Sequence, residues 1–587
     1  MPTHRQPKSL EGLSMGRVCQ QLDLTCRRLQ RLSQETSSSQ ILTLAKQTIR
    51  PYYVKSLPAS LRSRVIEETS KMLYGPAPDG STLISGPAPL YLHVLLLGQD
   101  IRQLKINLCC YYGCSHQTSL LKLLANEGIG IESLELARSA LLRLDCKLLR
   151  SALLNMRNLK SLTLRNIAND AVLQVVGKTC PKLIILDVSC SMQVTDIGLK
   201  QLLLQVELRD KITSTNYDYI HHHHHHQQQQ QDEEPTTWSK LKIIISKFKV
   251  KKNHKSHKNY PGTVLLEYYE SKNNICNTLK ILNVANTGVT SGGVLLALAH
   301  VPNLESLADY NHMGRVVEIM NKGVINIATP FNLIQARSSR TTSSRLELLS
   351  QTCPRIEKLH ISEPHHSPKY LSLFKNITSL SIHSIPAKCH WINEFYDYIK
   401  VDGQCLKELN LRVIQSEETP LKLDLRQIYL YCQSLITLTN DGASVVWLDG
   451  NEPSSLCSLK KIHLGRTVTA MTIEKIIKYS PALVSLHVHS CFDITNSHIE
   501  SFIKNSLNDN CFVENLSCFY IYEANKLTAN IVLDMFKYCK RLKKIGNLAN
   551  WGLDCEGIKC IKKTLAQDNL NVELCPGSHW FWSNCIH

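Results

Sequence analysis

One six-residue pattern recurs along this chain: an apolar residue, two variable ones, Leu or Ile, one variable residue and another apolar one. It reads LKSLTL at 159–164, LIILDV at 183–188, LKILNV at 279–284, IEKLHI at 356–361, ITSLSI at 377–382, LKELNL at 406–411, LKKIHL at 459–464 and LVSLHV at 483–488. Weaker copies start at Ile101, Ile131, Leu304, Leu435, Val513 and Leu542. Consecutive copies are spaced 21 to 30 residues apart. A fixed period of that length is the signature of an array in which each strand-bearing unit buries its apolar face only by stacking on its neighbours. Length alone would imply about four domains of ~150 residues, a rule that a repeat array breaks. With 43% hydrophobic and 20% charged residues among 587, the chain is neither wholly disordered nor collagen-like.

Several units extend beyond the hexad. From Cys180 to Leu203 the chain places Cys180 before the strand, Cys190 after it, and Val194-Thr195-Asp196 ahead of a helical segment. From Ser480 to Ile503 the form returns with Cys491 and Ile494-Thr495. These units resemble the cysteine-containing leucine-rich repeats of F-box/LRR proteins and of the antagonist-of-mitotic-exit-network family, over roughly residues 99–570. The resemblance implies an α/β leucine-rich repeat solenoid, with parallel strands on the concave face and helices outside. Cysteines at these positions are read as small buried packing residues.

The array has one interruption and one preface. Residues 207–275 carry His221 to His226, Gln227 to Gln231, an acidic Asp-Glu-Glu and a run from Lys240 to Lys258 with eight Lys and no acid. This His/Gln/Lys-rich insertion is expected to be a disordered, solvated loop that divides the repeats into 99–206 and 276–587, the latter with a C-terminal cap. Residues 1–74 form a small helical box: Leu10, Leu13, Val18, Leu22, Leu29 and Leu32 are helically spaced, and a second helix is expected from Ser60 to Leu73. The duplicated GPAP marks residues 75–98 as a Pro/Gly linker. The net charge of +18 is concentrated, with eleven Lys/Arg against three acids in residues 1–64. It suggests an acidic partner, but neither basic stretch carries a recognition helix or stacking aromatics, so nucleic acid is not the expected ligand. No run reaches the ~18 apolar residues of a membrane span, and residues 1–30 lack a secretory h-region, so a cytoplasmic or nuclear location is expected.

No Walker loop, GxSxG elbow, HExxH helix or paired CxxC is present, so neither enzymatic activity nor a cofactor is expected. Cys110, Cys114 and His116, and the C-terminal Cys575, His579, Cys585 and His587, fall short of standard zinc spacing, and no metal is expected. The concave face is the expected binding surface. The fifth hexad position gives a ladder of Thr163, Asp187, Asn283, Ala308, His360, Ser381, Asn410, Thr439, His463, His487 and Ser517, all expected to point outward. His360, His383, Arg412, Lys461, His463, His487 and His489 are the candidate substrate-binding residues, with Lys543 and Lys544 nearby. They suit an acidic protein substrate held more tightly as pH falls towards ~6.

Ser9-Leu10, Ser14 and Val18 match the BC-box pattern, whose four-residue steps place Leu10, Ser14 and Val18 on one helix face. Leu57, Pro58 and Leu61 resemble a cullin box. A BC box, a cullin box and leucine-rich repeats together resemble the VHL-box (zyg-type) receptors of cullin-RING ubiquitin ligases. That resemblance implies contact of Leu10, Ser14 and Val18 with Elongin C and selection of a cullin by Leu57, Pro58 and Leu61. The same Leu57-Pro58 with Leu61, Val65 and Leu73 also resembles the start of an F-box, which implies a Skp adaptor. Either implies a non-catalytic substrate-recognition subunit. The alternative is an interaction scaffold for protein or RNA whose helical box only caps the first repeat.

Overall fold

The computed structural model describes residues 2–6, 9–74, 88–108, 114–138, 144–207, 269–324, 327–414, 421–509 and 512–575. The His, Gln and Lys tracts, Cys110, and His579, Cys585 and His587 lie outside the described residues. The chain divides into two units. One comprises Met15–Tyr310 with Val316–Phe331, and the other Met1–Ser14, Asn311–Arg315 and Asn332–His587.

In the first unit, strands β1 (Gln103–Leu108), β2 (Ser133–Arg138), β3 (Ser161–Arg165) and β4 (Ile185–Asp187) are followed by an antiparallel pair, β5 (Leu204–Glu207) and β6 (Tyr269–Lys272), and then by β7 (Ile281–Asn283). β1, β2, β3, β4 and β7 form one parallel sheet in that order. Each strand is one hexad, and its second and third apolar positions, such as Leu162 and Leu164, are fully buried. The insertion is therefore bracketed by a two-stranded ribbon, with Glu207 opposite Tyr269, which narrows it to residues 208–268.

Helices Asp170–Thr179, Asp196–Leu203 and Ser291–His300 pack on one another in sequence. Each begins at a side-chain N-cap, Asn169, Thr195 or Thr290, that accepts a backbone N–H. The strand-to-helix turn has its own repeat. Asn166, Cys190 and Asn286, each seven residues after the start of a hexad, have positive φ of 61°, 60° and 54°, as do Arg340, Glu363 and Ser384 in the second unit at 47°, 50° and 54°. This explains a departure from expectation: Cys190 is exposed because it occupies that turn. The cysteines three residues before a hexad behave as expected. Cys180, Cys353, Cys432 and Cys539 cap the C-termini of their helices and are buried.

Ahead of β1 come the helix Leu10–Glu35, three shorter segments within residues 38–56, and the helices Ala59–Tyr74 and Ala88–Leu96. The last of these replaces part of the linker expected at 75–98. The run from Leu90 to Leu97 has no exposed side, and all eight residues are buried, because a helix apolar all round belongs in a core. Arg62, only 1% exposed, ties this region together. Its guanidinium donates to the carbonyls of Leu57 and Leu96, at 2.9 Å each, and to the Asp100 carboxylate. Arg50 donates to the Leu97 carbonyl at 2.9 Å and pairs with Glu127 at 2.8 Å.

The second unit holds a ten-stranded parallel sheet built from β8 (Gln335–Thr341), β9 (Lys358–Pro364), β10 (Ser379–Ile385), β11 (Glu408–Val413), β13 (Thr437–Asp441), β15 (Lys461–Thr467), β16 (Ser485–Ser490), β17 (Cys518–Glu523), β18 (Lys544–Gly546) and β19 (Glu573–Cys575). The short strands β12 (Lys422–Asp424) and β14 (Ser444–Val446) pair separately. β8 is a repeat whose sequence, LIQARS, escapes the hexad pattern because Ala336 and Ser338 stand at the buried positions. At the same place in β13, Asn440 is fully buried and donates to the Ala443 carbonyl at 3.1 Å. Residues 3–5 run antiparallel to 569–571, with Arg5 N–H donating to the Asn569 carbonyl at 2.7 Å.

Candidate binding faces

The ladder expected on the outward face of the second unit forms, with one change of register, and its last three members, Tyr520, Gly546 and Cys575, are buried. Arg337, His360, Ser381, Asn410, Thr439, His463, His487, Tyr520, Gly546 and Cys575 are paired strand to strand across all ten strands. Tyr520, and not Ser517, is the partner of His487, because the hexad of β17 starts at Leu516 and not at Val513. Arg337 enters through the repeat that the pattern missed. Ala308 belongs to no strand, and its φ of +47° turns the chain away. Asp187 and Asn283, expected to point into solvent, are buried at 7% and 3% exposure, because their side chains turn back to accept the N–H groups of Ser189 and Ala285.

The two sheets present different chemistry. In the first unit charges on the strands pair with one another: Lys105 with Glu135 at 2.8 Å and Arg165 with Asp187 at 2.9 Å. In the second unit it carries rings. The His360 and His383 rings meet edge to face at 4.3 Å between centroids. His463 stacks with His487, and His487 with Tyr520, each at 5.6 Å. His489 lies 5.2 Å from Tyr522. Lys461 is exposed at the start of β15, and Arg412 is half-buried on β11. Cys518 and His487 are in hydrogen-bond contact, Sγ to Nε2, at 3.3 Å. Burial raises the thiol of Cys518 to about 12, so this pair carries no thiolate.

The electrostatics differ from the expectation of a protonated histidine face. Burial, followed by the neighbouring His383, Arg337 and Arg412, lowers His360 to about 3. Burial with Arg412 and Arg337 lowers His383 to about 4. Burial with His487 and Arg412 does the same to His463, and burial with Lys544 to His487, each reaching about 4. At pH 6 these imidazoles are neutral in the free protein, so the face offers ring edges and N–H groups there instead of imidazolium charge.

On the helix Leu10–Glu35 the buried positions are Cys19, Leu22, Cys26 and Leu29. Leu10 is 80% exposed and Ser14 is exposed on the same face, whereas Val18 is half-buried at the border of the packed stripe. Leu57 and Leu61 are half-buried and Pro58 is exposed. Among the described residues no group of three or more His, Cys, Asp or Glu could hold a metal ion. No described helix is long and apolar enough to cross a membrane.

No protein-family model matches the chain, and no curated protein matches it. Among solved structures it is similar to the Rad7 and Elc1 complex of yeast, at 11% identity over 92% of this chain and 93% of the other, with a TM-score of 0.32. It is also similar to the TLR13–ssRNA13 complex, at 12% identity over 76% and 57% and a TM-score of 0.29. A Leptospira interrogans LRR protein matches at 11% identity over 82% and 94%, with a TM-score of 0.27. The in-order parallel strands, one hexad each, with helices between them, make this chain an α/β leucine-rich repeat solenoid.

Proposed function

We propose that the protein is a non-catalytic substrate-recognition subunit of a cullin-RING ubiquitin ligase. In this reading it holds a protein substrate on the ring-bearing face of the second unit and binds its adaptor through the start of the helix Leu10–Glu35. The observation that carries the reading is Leu10. A leucine 80% exposed in the first turn of a long helix, with the small Ser14 one turn on, is a knob without a hole, shaped for a partner helix. Leu57, Pro58 and Leu61, by the start of the helix Ala59–Tyr74, would select the cullin. His360, His383, Arg412, Lys461, His463, His487 and His489 would receive the substrate.

Affinity purification of the full chain tests this. Recovery of Elongin C supports the BC-box form and recovery of Skp the F-box form, each with its cullin. Absence of both, with other partners retained, overturns the ligase role. The scaffold reading is favoured by Arg62 and Arg50, which fasten the helical box to the start of the array as a cap needs to be fastened. RNase-sensitive or ligase-free partners would support it.

A further inference from the structure

The helix Leu10–Glu35 has a second face, opposite the one it buries. Its buried residues, Cys19, Leu22, Cys26 and Leu29, form one stripe. At ~3.6 residues per turn, Arg17, Leu24, Arg28, Arg31 and Leu32 fall within an arc of about 100° on the other side. All five belong to the first unit, and none is among the residues assigned above to the adaptor. Leu24 is 51% and Leu32 42% exposed. Arg17, Arg28 and Arg31 are exposed and make no hydrogen bond or ion pair with any described residue. Arg27, at the edge of the arc, differs, because Asp23 holds it at 2.9 Å. The acid that this face does carry is Glu35, at the very end of the helix. Arg17, Leu24 and Arg31 stand seven residues apart, with Arg28 four after Leu24, so cation and leucine alternate along a seam roughly 22 Å long.

We infer that this seam docks an acidic amphipathic helix of a partner protein, whose carboxylates face Arg17, Arg28 and Arg31 and whose apolar residues face Leu24 and Leu32. A seven-residue spacing is what keeps two helices in contact over several turns. Three guanidiniums brought into such a contact lose water, a loss that opposing carboxylates offset through paired, bidentate hydrogen bonds. The arginines therefore choose the partner, since a helix with a neutral or basic seam leaves them buried and unpaired. The leucines add the apolar contact that fixes register, which charge attraction alone does not do. A membrane surface is the poorer match. An interfacial helix gathers its apolar residues on one side and its cations on the other, whereas here both share one line and the apolar side is already packed. The seam also gives the basic excess of residues 1–64 a place to act. It is separate from the ligase reading and does not depend on it.

Fluorescence anisotropy on the full chain tests the seam, with labelled three-heptad helical peptides that carry Leu and Glu at the contact positions, Leu and Gln, or Leu and Lys. The Glu peptide is expected to bind at least about tenfold more tightly than the Gln peptide, and the Lys peptide not at all. Arg28→Glu with Arg31→Glu should invert the order, so that the Lys peptide binds best. Leu24→Gln, which leaves the charge unchanged, should weaken the Glu peptide about tenfold. These side chains are exposed, so the denaturation midpoint is expected to stay in place, which separates lost contacts from lost fold. No binding of the Glu peptide, equal binding of the Glu and Gln peptides, or an order that survives the double charge reversal overturns the proposal. Indifference to Leu24→Gln also overturns it, by leaving only unspecific charge attraction. Tighter binding to phosphatidylcholine vesicles containing phosphatidylserine than to the Glu peptide overturns it in favour of a membrane. Recovery of Elongin C or Skp is expected to survive Arg28→Glu with Arg31→Glu. Its loss in that variant would make the seam part of the adaptor contact and overturn it as a separate site. Absence of both adaptors from the wild-type chain would overturn the ligase role and leave the seam standing.

Discussion

The carboxylate of Asp170 accepts both the backbone N–H and the hydroxyl of Thr195, each at 2.7 Å, so the first residue of one helix holds the N-cap of the next. Asp196 repeats the contact with Thr290, at 2.8 and 2.5 Å. The clasp sits where a helix N-terminus favours negative charge, and it needs a close approach that only glycine permits. A Cβ on Gly198 would lie 2.2 Å from Asp170 Oδ1, and one on Gly293 2.2 Å from Asp196 Oδ1. Asp170→Ala should lower unfolding stability by about 1–3 kcal/mol, the cost of a half-buried charged acceptor and of the N–H it leaves unpaired. Gly198→Ala should cost at least as much. Chemical denaturation of the two variants checks both.

The adaptor reading turns on one exposed side chain. Leu10→Asp should abolish recovery of Elongin C or Skp while the denaturation curve stays almost unchanged, because Leu10 is 80% exposed. Val18→Ala is a poorer probe, since Val18 is half-buried and its loss would mix a folding cost of up to about 1–2 kcal/mol with the binding effect.

Acid should weaken the fold. His93, fully buried, His383, His463 and His487 all sit near 4, and His360 near 3, when folded, against an ordinary value of about 6.5 unfolded. Between those values the unfolded chain binds more protons, so stability is intact above pH ~6.5 and falls as pH drops towards 4. Each unit of difference is worth about 1.4 kcal/mol at most. His463→Gln with His487→Gln should flatten the slope of denaturation midpoint against pH between 6.5 and 4. An unchanged slope would mean that the two rings are solvated.

Replacing residues 208–268 by a two-residue Asn-Gly turn should leave the thermal midpoint of the chain within about 2 °C of the original. β5 and β6 already place Glu207 opposite Tyr269, so a hairpin turn closes the gap without moving either strand. Loss of cooperative unfolding in calorimetry would show that the replaced segment carries part of the core.

How far the sequence reveals this depends on which residues fill the hexad. Where Leu, Ile or Val occupies the buried positions, as at 159–164 or 483–488, strand, register and ladder position follow from the pattern, because large apolar side chains at that spacing mark the inward face. β8 is hidden because Ala336 and Ser338 are small enough to be buried without looking apolar as a pair. β17 is misframed because Phe519 stands where the pattern calls for Leu or Ile, while the frame from Val513 fits, and only the pairing of Phe519 with Leu486 selects the frame from Leu516. The histidines of the ladder were legible as residues but not as neutral groups, since burial comes from neighbouring strands.

The thiols at the helix C-caps divide the cysteines by reactivity. Cys180 is held near 11, and Cys353, Cys432 and Cys539 near 12, by burial above all, so at neutral pH almost none of each is thiolate, the form that alkylating agents and oxidants attack. Cys190, Cys389, Cys405, Cys457, Cys555 and Cys560 stand in solvent and would be consumed first. Each silent thiol then becomes available only when its own repeat opens. The chain therefore carries a set of built-in clocks, spaced along the array, that record the order in which its repeats come apart.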